Sequence, residues 1–190
     1  MSFGERFREA AEAARASLSG DDVLRRIDGV RGVHRVETTP QDLEVARRAM
    51  ALGAPDPYSL ITHDEVVALT GLPVGGPSLT YADDDLGVRF EAESGRMQHW
   101  SFGIHVGHAP DPSTAFDARR WYEWMVALLD GADEVPVGDS ARYQDGLLYV
   151  LGEGRAFYVL IDAPPRSPTR EWAVRLAQRV LERFASGLAR

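Results

Sequence analysis

The chain of 190 residues contains no cysteine, no lysine and no asparagine. Without cysteine there is no disulfide, no thiol nucleophile and no thiolate metal site. Without lysine, all 21 basic side chains are arginines, set against 29 acidic ones for a net charge of -8. The arginines are scattered rather than clustered, so the long-range field repels a phosphate backbone and nucleic acid is not expected as a partner. No stretch approaches the ~20 apolar residues that span a bilayer. Residues 1–18 alternate charged and small side chains and lack the apolar run of a signal peptide. The expectation is a cytoplasmic protein without membrane contact.

What is present is ordinary for a globular protein: 44% apolar and 26% charged residues. The length suits one domain with a helical addition. The chain also nearly repeats itself at an offset of roughly sixty residues. Pro73-Val74-Gly75 returns as Pro136-Val137-Gly138, and Gly87-x-x-Phe90-x-x-x-x-Gly95-Arg96 returns as Gly146-x-x-Tyr149-x-x-x-x-Gly154-Arg155. Each copy begins with a helix closed by glycine, at Gly71 and Gly131. Two helix and β-hairpin units that share one sheet and one core follow from this pattern.

Phe3, Phe7, Ala10, Ala14 and Leu18 recur at helical spacing, and a short helix follows from Asp21 or Asp22 to Gly29. Val33 to Glu37 reads as a short strand. Thr39-Pro40 supplies an N-cap and a first-turn proline for a helix to about Leu52. Residues 1–57 are thus expected to form a helical extension packing on an α+β domain of residues 58–190, with Gly53-Ala-Pro-Asp-Pro57 as the connector. Within that domain, Thr62-x-x-Glu65 is a capping box. Strands are predicted near 78–81, 87–93 and 97–106, and Asp111-Pro112 is expected to open the next helix, with Trp121, Trp124, Met125 and Leu128 on one stripe. The hairpin Leu147–Leu151 and Ala156–Ile161 turns at Gly152-Glu153-Gly154, and a last helix covers about 168–188. That hairpin is apolar on both faces, where a sheet with one wet face would alternate. Its second face needs a cover, expected from the N-terminal helices or from a second subunit.

The order helix, strand pair, helix, Val137-Gly138-Asp139-Ser140-Ala141 turn, strand pair, helix resembles the actinobacterial lipoprotein and sensor-like domains of the LpqN type, which have a PsbP-like fold. Thr62 to Gly71, the hairpin 147–161 and the closing helix with Leu176-Ala177 and Val180-Leu181 carry the likeness over residues ~60–187. The arginine-only basic set, typical of GC-rich coding, agrees with an actinobacterial source. The resemblance implies a two-layer α+β fold used for binding or assembly, with no catalytic residues to carry over. Compared with those lipoproteins, this chain is expected to lack an export signal, and it has no cysteine to lipidate.

Candidate chemistry is sparse. His99, His105 and His108 lie close in sequence, but His99 and His105 on one strand would stand roughly 20 Å apart and cannot share an ion. They are expected to be surface histidines, either solvent-facing or hydrogen-bonded. Asp83-Asp84-Asp85 lacks the alternate ligand spacing and distal glutamate of a calcium loop and reads as a solvated turn. No serine-nucleophile elbow occurs, and Ser140 is accounted for by a turn. Trp100, Trp121, Tyr122, Trp124 and Trp172 could line a cavity for a flat ligand, although their helical spacing makes core packing the default expectation.

The reading is an α+β fold: a two-layer antiparallel sheet of two pseudo-repeated helix and hairpin units with an N-terminal helical extension. Its expected function is binding or assembly with an unknown protein partner or with itself as a homodimer, without catalysis, cofactor or metal. The alternative is a small-molecule-binding protein or enzyme that uses a Trp-rich pocket of Trp100, Trp121 and Trp124 with His99 or His105.

Overall fold

Among the described residues, seven antiparallel strands in the order β1-β2-β3-β7-β6-β5-β4 form one sheet. The computed structural model describes residues 39–82, 84–92 and 100–189. The expected amphipathic stripe Phe3–Leu18, the short helix after it and the strand at Val33–Glu37 lie outside the described residues. Helix α1, Pro40–Ala51, starts at the Thr39 capping box, with Asp42 returning the hydrogen bond to the Thr39 amide. A 3-10 turn at Pro57–Ser59 leads to α2, His63–Thr70. Thr62 and Glu65 cap α2, and Gly71 closes it in the left-handed region at φ 68°.

The first strands are β1, Ser78–Tyr81, β2, Asp85–Glu91, and β3, Ser101–Gly107. Helix α3, Ala118–Val126, begins at the Asp117 N-cap and not at Asp111. The Asp111 carboxylate is instead engaged by Ser113 and Thr114 in a local turn, which spends the residue as a helix start. The short β4, Asp133–Glu134, is followed by β5, Ser140–Gln144, β6, Leu147–Gly152, β7, Arg155–Asp162, and α4, Thr169–Ser186.

Strand alternation divides the buried side chains into two cores. Val88, Phe90, Phe102, Ile104, Leu148, Val150, Phe157 and Val159 pack under Ala173, Leu176, Ala177 and Val180 of α4 and Val66 of α2. On the other face, Leu147, Tyr149, Leu151, Tyr158 and Leu160 pack under Trp121 and Tyr122 of α3. The apolar hairpin β6–β7 therefore lies inside the sheet and is covered on both sides, and its second cover is α3. Each fully buried side chain of this kind contributes roughly 1.5–3 kcal/mol. The α+β class stands, but helices lie on both faces where two layers were expected. The Trp121, Tyr122 and Met125 side of α3 makes that third layer.

The two halves approach β3 and β7 from opposite edges of the sheet, but side-chain direction does not follow the sequence repeat. Phe90 belongs to the α4 face and Tyr149 to the α3 face. A satellite cluster of Ala46, Ala49, Ala54 and Leu86, with Leu79 against it, seats α1 on β1 and β2.

A buried histidine and carboxylate cluster

One row of residues crosses five strands on the α3 face: Thr80 opposite Gly87, Gly87 opposite His105, His105 opposite Tyr158, and Tyr158 opposite Tyr149. A Cβ on Gly87 would stand 2.7 Å from Cγ of His105 and 2.2 Å from the Ile104 carbonyl oxygen. The glycine leaves the space in which the imidazole lies across β2 and reaches β1. There His105 Nε2 is 3.2 Å from Thr80 Oγ1, and its Nδ1 is 2.9 Å from Asp85 Oδ1. An ionised carboxylate only accepts, so Nδ1 carries the hydrogen toward Asp85 and the Nε2 lone pair takes the Thr80 hydroxyl hydrogen. Tyr158 stacks on the imidazole at 4.6 Å between centroids and donates its hydroxyl to Asp85 Oδ2 over 3.4 Å.

Helix α3 closes the cluster. Trp121 stacks above Tyr158 at 6.4 Å, and its Nε1 donates to Asp84 Oδ2 at 3.0 Å. The indole sits over Gly107, where a Cβ would come within 2.9 Å of it. His108 is also buried, donating from Nδ1 to the Ala109 carbonyl at 2.7 Å while its amide donates to the Asp84 carbonyl at 2.8 Å.

Burial pushes the Asp84 carboxyl above the usual aspartate range, with the neighbouring Asp85 adding to the rise, against the opposing pull of the Trp121 hydrogen bond. The phenols of Tyr149 and Tyr158 are pushed up by burial and by Asp85, and both remain neutral.

These placements correct the sequence reading at two points. His105 is 3% exposed and Asp85 6% exposed, so neither of these two residues lies on a solvated surface. Both sit beneath a third layer that alternation along β3 alone could not reveal. The tryptophans do not share a pocket. Trp100 lies on the α4 face and donates Nε1 to the Pro73 carbonyl at 3.0 Å, whereas Trp121 lies on the α3 face. Trp172 packs edge-on against Phe102, and Trp124 stands partly exposed on α3. Of the candidate ligand residues only Trp121 and His105 come together, bridged by Tyr158, and His99 lies outside the described residues.

Sequence reasoning missed Thr80, Asp85, Tyr149 and Tyr158. The available signal was Gly87, a glycine inside a strand pattern, which marks close approach by another group.

Asp85, His105 and Thr80 form an acid, imidazole and hydroxyl series of the kind that activates a nucleophile. Its members are largely enclosed, and the described residues contain no group of three His, Asp or Glu able to hold a metal. The surface hollow at the start of α4, lined by Ser167 to Glu171 and Val174, contains none of them. No described helix is long and apolar enough to cross a membrane. No family model, curated protein or solved structure matches the chain.

Proposed function

We propose that the protein acts by binding or assembly through protein–protein contact, without catalysis, in the cytoplasm of an actinobacterium. The reading keeps the LpqN-type resemblance and the internal repeat as its evolutionary frame. One observation carries it: most of the large apolar side chains left exposed among the described residues belong to α1, the turn that follows it and the adjoining strand β1. Leu43 and Met50 of α1, Tyr58 just after it and Tyr81 at the end of β1 account for four of the six exposed large hydrophobics among the described residues. Contact surfaces are built from such aromatic and methionine side chains, whereas a small-molecule site gathers polar groups around a cavity. Here the gathered polar groups satisfy one another inside the fold.

The test is a pair of measurements on the full chain. Thermal shift against divalent metals, nucleotides and aromatic metabolites should give no specific stabilisation. Sedimentation or pull-down against candidate partners should give a saturable complex. A metabolite that raises the melting temperature in proportion to the logarithm of its concentration would overturn the reading.

The second reading, an enzyme that uses His105, is favoured by the series Asp85, His105 and Thr80, whose half-buried hydroxyl end lies on an edge strand. It requires that Thr80→Ala and His105→Gln each abolish a turnover that the wild-type chain supports.

A further inference from the structure

We draw no further inference here: the strongest candidate, the surface patch formed by the outer edge of β1 and the exposed Leu43 and Met50 of α1, is an apolar face for which nothing in the structure shows what covers it.

Discussion

Gly87 and His105 face each other across β2 and β3, and the absent side chain of the first makes room for the ring of the second. The consequence is a stability requirement at Gly87. Gly87→Ala places a methyl group 2.2 Å from the Ile104 carbonyl oxygen and 2.7 Å from the imidazole. Backbone cannot yield as a flexible side chain would, so the strands must separate or the ring must leave Asp85. The expected cost is about 2–3 kcal/mol in urea unfolding. A midpoint equal to wild type would mean that the imidazole does not lie against β2.

His105 itself is expected to matter to folding. From sequence it reads as a surface histidine, whose removal would change stability by no more than about 0.5 kcal/mol. Buried between Asp85 and Thr80, it leaves Asp85 Oδ1 without its donor when replaced by alanine, with only the longer bond from Tyr158 to Oδ2 remaining, and about 2–3 kcal/mol should be lost. Asp85→Asn keeps an amide oxygen as acceptor for Nδ1 and should cost less, about 1 kcal/mol. Equal losses in the two variants would count against the bond between Asp85 and His105 as the main contribution.

Much of the local structure was legible because its causes are local. The Thr39 and Thr62 caps, the Gly71 stop and the alternation of Trp100, Phe102, Ile104 and Val106 are encoded within a few residues of where they act. The apolar character of both sides of β6–β7 correctly required a second cover. Which element supplies it depends on the packing of α3, whose amphipathic stripe does not state its destination. The cluster was illegible for a related reason. Thr80, Asp85, His105 and Tyr158 are distant in sequence and become neighbours only through strand register, which periodicity does not specify. A row of serine, glycine and histidine along β3 looks solvent-facing until the layer above it is known.

Glu65 couples two helices. It accepts from the Thr62 amide at 2.8 Å and from Arg183 of α4 at 2.6 Å. Burial pushes its carboxyl up, but hydrogen bonds from Thr62 together with Arg183 outweigh this and hold it below the usual glutamate range. A folded-state pKa below the unfolded one gives stability that is present at neutral pH and lost as pH falls through the folded value. Glu65→Ala should therefore cost about 1 kcal/mol at pH 7. The difference from wild type should close on acidification below the glutamate range, measured as urea midpoints at each pH. A gap that persists unchanged in acid would assign the loss to packing instead.

Asp84 should respond in the opposite sense. Its folded pKa is raised, chiefly by burial, so its charge is a cost to the fold at neutral pH and the cost is relieved as pH falls through the folded value. Against that stands its service as acceptor for Trp121 Nε1 at 3.0 Å, a polar tie that joins α3 to the start of β2 beside the bond of Tyr122 to Ser140. Asp84→Asn separates the two effects, because the amide oxygen can still accept from the indole while the charge is gone. Its stability at pH 7 should equal or exceed wild type, and the advantage should vanish toward the acid end of the carboxylate range. Trp121→Phe preserves the stack on Tyr158 but leaves the buried carboxylate without this donor, and should lose about 1–3 kcal/mol at pH 7. Combining the two substitutions should recover part of that loss, since an unpaired amide costs less to bury than an unpaired charge. Strict additivity of the two in urea unfolding would show that the indole and the carboxylate are not coupled, and that this bond does not help to hold α3 on the sheet.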